Sequence, residues 1–292
     1  MVKLYSYRAH DGDFFWLKFK QKAEESYHNI VVDGGRKSNA DDFCKMLNDI
    51  ATDNEKVDAI ILTHYDRDHI MGMLTGLQRA RKKQCIPVIE RILLNTGKGY
   101  LQQHEEFRVS MTQLPEEITK VPLETPGYSA GDAENLIAFL KAYGLDEHLK
   151  EYIVQSLEPI EIGGTKLHII SPDENMLSRL IQSWPGLETS EERSAYGGSE
   201  TEWETDIDEL MGQNALEDSS TSNGASIAFV FEYEDIRIAF LGDAYSSVCI
   251  DGLSKLGYSK ENPCEVDLIK LSHHGSKHNC SEELFQILKS KN

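Results

Sequence analysis

The 292 residues are 40% hydrophobic and 27% charged, as in an ordinary soluble globular protein, and no apolar stretch is long enough to span a bilayer. The net charge of −19 argues against binding nucleic acid through diffuse attraction, but it leaves room for a nuclease that uses metals and a few lysines. Five scattered cysteines without a Cys-x-x-Cys pair, and an N-terminus without a signal-peptide pattern, predict a cytoplasmic protein with no membrane partner.

The first part of the chain is predicted to form short strands and one helix. Alternating apolar residues predict strands over 2–7 and 14–19, joined by the turn His10-Asp11-Gly12-Asp13. A third apolar run over 29–32 ends in Asp33-Gly34-Gly35, where glycine lets the backbone approach a site closely. Apolar residues at helical spacing then predict a helix over 41–51.

A buried strand over 57–62 runs directly into four side chains that can bind metal. They are two imidazoles and two carboxylates, namely His64, Asp66, Asp68 and His69. Nitrogen and oxygen ligands of this kind suit zinc or a similar ion. The alternative is a polar loop in which one aspartate caps the next helix, and it accounts for only one of the carboxylates. We therefore predict a metal site here.

The helix that follows is predicted over 70–81, and its end carries the densest basic cluster of the chain. The cluster consists of Arg79, Arg81, Lys82 and Lys83. Cations at a helix end are favoured by the helix dipole, so a solvated helix end is the simpler interpretation. A rim that faces a phosphate is the alternative.

The middle of the chain is predicted to leave the sheet. A strand over 88–94 is followed by residues 97–158, which combine several prolines with helical patterns at 136–143 and 148–157. We interpret this region as a helical excursion and treat 1–292 as one domain.

A hairpin and an acidic segment follow. Residues 160–162 and 165–170 are predicted to pair around Gly163-Gly164. The second strand contains His168, a lone histidine that is more often structural but is kept as a candidate further metal ligand. The segment 186–222 is rich in acidic residues and poor in apolar ones, which predicts a mobile surface insertion.

Two more strand ends carry side chains that can bind metal. A hairpin over 226–233 and 236–241 ends in Gly242-Asp243-Ala244, and a strand over 266–271 enters a loop that contains His273 and His274. Five of the ten histidines lie in the windows 64–69 and 273–278, which scatter does not explain. This is the pattern expected of a site built at one edge of a sheet sandwich.

These loops, in this order, resemble the metallo-β-lactamase fold family, and in particular the metallo-β-lactamase domain of the competence DNA-uptake protein ComEC and its soluble relatives. The motifs that carry the resemblance are His-x-Asp-x-Asp-His at 64–69, Asn223, Gly-Asp-Ala at 242–244 and Lys-x-x-His-His-Gly-Ser at 270–276. The Gly12-Asp13 turn and the strand that ends in Asp33 also resemble the family. The resemblance implies an α/β fold, an αββα sandwich of two mixed β-sheets flanked by helices.

The resemblance also implies a centre of two divalent metal ions, with Zn²⁺ expected first and Mn²⁺ as the alternative. The implied ligands are His64 and Asp66 for one ion, Asp68 and His69 for the other, and Asp243 as the bridge between them. His273 or His274 would complete the site or protonate the leaving group, and the sequence does not choose between them.

Two adjacent metals lower the pKa of a water to about 7 and clamp the attacking and leaving oxygens of a phosphodiester. We expect Asp68 or the metals to orient that hydroxide, and Lys270, Ser276 and Lys277 to stabilise a phosphate oxygen. The predicted function is therefore a phosphodiesterase, in particular a nuclease with DNA as its substrate. The alternatives are a hydrolase of a small ester, lactone or thioester, and a non-catalytic or partner-activated module, for example in bacterial defence.

The C-terminus departs from the family pattern. Chains of the family continue through another strand, a Gly-His-Pro loop and a closing helix, whereas this one stops in 287–292, which we predict to be helical. The expectation is that the C-terminal end of the fold is missing, so that a protein partner or a further segment completes the sheet. A histidine contributed by that part would then be absent from the site.

Overall fold

A computed structural model of the chain describes residues 1–21, 24–104, 129–184 and 217–291. The first sheet has six strands in the order β1-β2-β3-β4-β5-β6. These are β1 Val2–Ser6, β2 Phe15–Phe19, β3 His28–Val32, β4 Ala59–Ile61, β5 Ile92–Leu93 and β6 Leu149–Lys150. The first three strands pair antiparallel and β3 to β6 pair parallel, so the carboxyl ends of β3, β4 and β5 lie at one edge.

The second sheet has five strands in the order β12-β10-β9-β8-β7. These are β7 Ile160–Ile162, β8 Thr165–Ser171, β9 Ala228–Tyr233, β10 Ile236–Phe240 and β12 Leu268–Lys270. The strands β7 to β10 form an antiparallel meander, which contains both predicted hairpins, and β12 joins β10 in parallel. A separate parallel pair consists of β11 Cys264–Val266 and β13 Leu288–Ser290.

Helices cover the outer faces of both sheets. The described helices are α1 Ala40–Thr52, α2 Arg67–Lys82, α3 Gly97–Gln103, α4 Ser129–Ala142, α5 Glu174–Ser183, α6 Thr221–Gly224, α7 Ser246–Lys255 and α8 Glu282–Ile287. Apolar residues of α1, α2 and α4 pack on the first sheet, and those of α7 and α8 pack on the second. None of the helices in the described ranges is both long and apolar enough to cross a membrane.

The inner faces of the two sheets pack against each other and form the central core. Leu17, Phe19 and Ile30 of the first sheet are completely buried there, together with Phe229 and Phe231 of the second. Truncating a buried phenylalanine of this kind to alanine typically costs about 3–5 kcal/mol. The resulting order of layers, helix, sheet, sheet and helix, confirms the predicted αββα sandwich.

Two helices predicted from local apolar spacing are wrong. The helix predicted over 287–292 does not continue past Ile287, where α8 ends, because Leu288–Ser290 form β13 and Leu288 pairs with Cys264 of β11. Residues 148–157 are not a helix either, since β6 pairs with β5 and the backbone after β6 has no regular secondary structure. In both places a partner strand distant in sequence determines the conformation.

Parts of two predicted segments lie outside the described residues. In the predicted helical excursion 97–158, residues 105–128 lie outside the described residues, whereas α3, α4 and β6 are described. In the predicted acidic segment 186–222, residues 186–216 lie outside the described residues, whereas Asp218 and the start of α6 are described.

The basic cluster lies at the C-terminal end of α2, where Arg79 is ten residues, or about 15 Å along the helix axis, beyond His69 of the metal motif. There Arg79 Nη1 lies 2.6 Å from Asp41, and the guanidinium of Arg81 lies over the ring of Tyr143. The cluster is therefore a helix end remote from the metal motif and does not form a rim around it.

Candidate metal centre

Strand ends of both sheets place the predicted ligands at one edge of the sandwich. In the first sheet Asp33 follows β3 and His64 lies just beyond β4, and α2 begins directly after Asp66. In the second sheet Asp243 lies just beyond β10 and His273 just beyond β12. Because β3 and β4 are parallel, and β10 and β12 are parallel, these residues emerge on the same side of each sheet.

One set of side chains, the first group, surrounds one carboxylate oxygen of Asp243. His64 Nε2 lies 3.8 Å and His273 Nε2 lies 3.9 Å from Asp243 Oδ2. Asp66 Oδ2 lies 3.7 Å from the same His64 nitrogen. His64 and Asp243 are buried, whereas the side chains of Asp66 and His273 are partly exposed. The first group therefore has a buried floor and a side open to solvent.

A second group reaches the other oxygen of the same carboxylate through His69. His69 Nε2 lies 3.7 Å from Asp243 Oδ1 and 3.9 Å from Asp68 Oδ2. His274 Nε2 lies 3.9 Å from Asp68 Oδ2. The two adjacent histidines between which the sequence did not choose thus belong to different groups, His273 to the first and His274 to the second.

The backbone at this histidine pair is unusual. His273 and His274 have φ values of 43° and 57°, and Gly275 follows with 87°. A left-handed conformation at two consecutive residues other than glycine is strained and persists only where the surroundings impose it. Here a hydrogen bond from His273 N to Gly242 O (3.0 Å) fastens the turn to the loop that carries Asp243. The strained backbone of His273 and His274 therefore lies next to Asp243.

Hydrogen bonds to the outer ring nitrogens orient the two buried imidazoles. Asp33 accepts hydrogen bonds from Thr63 N (2.7 Å), Thr63 Oγ1 (2.8 Å) and His69 Nδ1 (2.9 Å). Because the Thr63 hydroxyl donates to Asp33, its oxygen accepts from His64 Nδ1 at 3.1 Å. Both rings are therefore protonated at Nδ1, and the Nε2 atom of each faces Asp243.

The polar atoms at the centre fit a cation. Within the described part of the chain, His64 Nε2, His69 Nε2 and Asp243 Oδ1 are buried and have no hydrogen-bond partner. Buried polar atoms are normally paired, so these three require an explanation. Ligand atoms at about 2.1 Å from a tetrahedral ion lie about 3.4 Å apart, close to the 3.7–3.9 Å between neighbouring ligand atoms within each group. The atoms of His64, His69 and Asp243 all lie within 4.8 Å of one another, as do those of Asp68, His69 and His274. Imidazole and carboxylate ligands suit a divalent ion.

The electrostatics of the cluster also favour positive charge. Burial alone would lower the pKa of His69, but the carboxylates of Asp33, Asp243 and Asp13 raise it to about 10. Burial alone would raise the pKa of Asp243, but the charges of His64, His69 and Lys270 hold it well below its usual range. A site that stabilises an imidazolium so strongly also stabilises a metal cation in its place.

Of the two lysines expected near the site, Lys270 contacts the cluster directly. Its buried Nζ contacts the carboxylate of Asp13, lies 2.9 Å from Gly242 O and 3.7 Å from Asp243 Oδ1. Lys277 is exposed on the loop after the histidine pair. Ser276 N donates to His273 O at 2.9 Å, so this residue stabilises the turn.

The prediction that His168 is a further ligand is wrong. Its Nε2 lies 4.0 Å from Glu232 of the neighbouring strand β9, outside both groups. Burial lowers the pKa of this imidazole, and its Nε2 has no hydrogen-bond partner among the described residues. Side chains alternate along a strand, so His168 lies on the opposite face of β8 from Leu167 and Ile169, which face the other sheet.

Four residues that support the ligands were not predicted to do so: Asp13, Asp33, Asp218 and Asn279. The first two had a signal, because each follows or precedes a glycine at a strand end. The backbone next to Asp13 packs closely against the start of α2, since a Cβ on Gly12 would lie 1.9 Å from Asp68 O. Asp218 and Asn279 have no distinguishing pattern in the sequence, and only the fold brings them to the histidines.

Comparison with known proteins identifies the family. The sequence model of the metallo-beta-lactamase superfamily matches residues 26–292 of this chain. No curated protein matches the chain in sequence.

Among solved structures, a metallo-beta-lactamase from Staphylococcus aureus subsp. aureus COL is 9% identical, with a TM-score of 0.39, and the match covers 97% of this chain and 58% of that one. A beta-lactamase domain protein from Burkholderia ambifaria is 10% identical, with a TM-score of 0.38, over 93% of this chain and 66% of that one. A diphosphatase from the PhnP family is 12% identical, with a TM-score of 0.34, over 89% of this chain and 59% of that one. The chain thus spans less than two thirds of the length of these three proteins.

Proposed function

This chain belongs to the metallo-beta-lactamase superfamily, a family mostly of metal-dependent hydrolases, and we propose that it is a phosphodiesterase that cleaves nucleic acid, DNA in the first place. The observation that carries the proposal is the carboxylate of Asp243, whose two oxygens lie 3.8 Å from His64 Nε2 of the first group and 3.7 Å from His69 Nε2 of the second. We also propose that the chain is a ComEC-type member of the family, on the motifs at 64–69, 242–244 and 270–276.

The residues present can hold two divalent ions, Zn²⁺ or Mn²⁺. The first group would supply His64, Asp66 and His273, the second would supply Asp68, His69 and His274, and Asp243 would be shared. Ions bound there would supply Lewis acidity and a water of lowered pKa. In this assignment both His273 and His274 are ligands through Nε2, and neither is needed as a proton donor.

The surrounding residues prepare the cluster for an anionic substrate. The ammonium of Lys270 lies next to the buried carboxylates of Asp13 and Asp243 and compensates part of their negative charge. Arg67 stands between Asp66 and Asp68 at the first turn of α2, is mostly exposed, and is held by Asp132 at 3.1 Å. A cation at that position, together with the N-terminal end of α2, favours a phosphate over a neutral lactone.

Hydrolysis assays with wild-type chain and Asp68→Ala test the proposal. We expect Mn²⁺- or Zn²⁺-dependent hydrolysis of bis-p-nitrophenyl phosphate and nicking of plasmid DNA, both lost in Asp68→Ala. Equal activity of the variant would refute the assignment. Hydrolysis of a lactone, ester or thioester substrate with no turnover of the phosphodiester would favour the small-molecule alternative. Bound metal with no hydrolysis of any of these would favour a non-catalytic or partner-activated module.

A further inference from the structure

A carboxylate outside the recognised motifs lies beside the first group. Asp218 follows the acidic stretch, and its side chain is only 15% exposed. Asp218 Oδ2 accepts hydrogen bonds from Asn223 Nδ2 (2.7 Å) and Asn279 Nδ2 (3.0 Å), and Oδ1 accepts one from Ser220 N (2.9 Å). The same oxygen Oδ2 lies 3.6 Å from His273 Nδ1. Four contacts hold this carboxylate in one place.

The amide of Asn279 connects Asp218 to the histidine. Asn279 is completely buried, and its Nδ2 donates both to Asp218 and to the backbone oxygen of Asp243 at 3.1 Å. With the amide nitrogen committed to these two acceptors, the amide oxygen faces His273 Nδ1 at 3.1 Å. An amide oxygen can only accept, so His273 carries a proton on Nδ1, and its Nε2 faces Asp243 Oδ2 at 3.9 Å.

We propose that Asp218 is a positioning residue that acts through the Asn279 amide to fix the ring and the tautomer of His273 for binding a divalent cation with Asp243. This inference rests on the proposed metal-dependent function and deepens it. It assigns a role to the end of the acidic segment, which was predicted to be a surface insertion. It also makes the two metal positions unequal, because the contacts of Asp218 reach His273 of the first group.

Substitution of Asp218→Asn tests this role with little change of shape. The three donors that face the carboxylate are Ser220 N, Asn223 Nδ2 and Asn279 Nδ2. In the variant the amide nitrogen must face at least one of them and cannot accept its hydrogen bond, and the negative charge is lost. Glu217→Gln is the matched control, because Glu217 is the adjacent carboxylate and accepts hydrogen bonds from Ser247 N (2.8 Å) and Ser247 Oγ (2.7 Å), which lie on α7 and not at the histidines.

The assay is titration of the metal-free full chain with Co²⁺, followed by its visible absorption spectrum and by calorimetry. We expect two binding steps in wild type and in Glu217→Gln. In Asp218→Asn one step should weaken by about 10- to 100-fold, as is typical for outer partners of metal-bound histidines, and the other should be unchanged. Asp218→Asn with both steps equal to wild type would overturn the proposal, as would equal weakening of both steps.

A double-mutant cycle keeps the test decisive if one variant is unstable. Asn279→Ala should weaken the same step, and the double variant should bind no worse than Asn279→Ala alone, because both residues act through one path. Additive losses would contradict the relay. Thermal unfolding without metal shows whether each variant is folded. Wild type that binds two Co²⁺ ions but hydrolyses no phosphodiester would overturn the proposed function and leave the role of Asp218 standing.

Discussion

The substitution Asp243→Asn probes both metal positions at once. Asp243 is 3% exposed, and its two oxygens lie 3.7 Å from His69 Nε2 and 3.8 Å from His64 Nε2. An amide of the same shape keeps one oxygen, replaces the other by a nitrogen that cannot accept, and removes the charge. One position therefore loses a ligand atom, and both lose the shared anion.

The size of the effect follows from the number of ligands. Four-ligand zinc sites bind with about 10–16 kcal/mol, so one ligand contributes about 3 kcal/mol, or about 100-fold in affinity. We expect Asp243→Asn to weaken binding by about that factor at the position that meets the amide nitrogen, and by less at the other. Hydrolysis should fall with occupancy.

Isothermal titration with Zn²⁺ or Mn²⁺, with metal analysis after dialysis, measures the change. Asp251→Asn is the control, because Asp251 is an exposed aspartate of α7 paired with Lys255 at 2.6 Å, away from the cluster. If Asp243→Asn binds two ions with wild-type affinity, the shared-carboxylate geometry is not what holds the metals.

Three further predictions concern stability. Gly72→Ala should lower the free energy of unfolding by about 1–3 kcal/mol or more, because its Cβ would lie 1.8 Å from a backbone oxygen of the loop after β3. Lys270→Met should cost the metal-free chain about 3–5 kcal/mol in urea unfolding, since it leaves Asp13 buried without its cation. Burial alone lowers the pKa of His28, but Asp58 raises it overall, so His28→Gln should lose stability mainly below about pH 6.5 and less as the pH rises through the raised pKa.

The control for Gly72→Ala is a second glycine that lies in a helix, Gly131. Gly131→Ala lies within α4, where no atom of another described element is within 4 Å of the added Cβ, so it should stabilise or leave stability unchanged. Gly72→Ala as stable as Gly131→Ala would contradict the close approach. Lys270→Met with wild-type stability would mean that Asp13 is neutral or solvated. A loss for His28→Gln that grows with pH would reverse the sign of its contribution.

Much of the fold was predictable because its signals are local. The strand ends at Asp33, His64 and Asp243 and the two hairpins follow from apolar alternation and glycine turns, and they appear in the structure close to their predicted bounds. The errors arose where a distant strand decides the conformation. Leu288 continues the apolar spacing of α8, yet its pairing with β11 makes it a strand residue.

The candidate site was predictable in its ligand types and not in its supporting contacts. The spacing of His64, Asp66, Asp68 and His69 indicates a metal motif without any structure. That His273 belongs to the first group and His274 to the second depends on the left-handed turn, which the dipeptide alone does not specify. Asp218 lies 61 positions from Asn279 in the chain, so no local pattern could have joined them.

The most direct measurement is the metal content of the purified full chain by elemental analysis, after incubation with Zn²⁺ or Mn²⁺ and removal of excess metal. Two ions per wild-type chain, falling below one in Asp243→Asn, is the result expected if the two groups of ligands share one carboxylate. A wild-type chain that retains no ion would mean that the unpaired nitrogens of His64 and His69 serve another purpose, and the hydrolase assignment would fail with it.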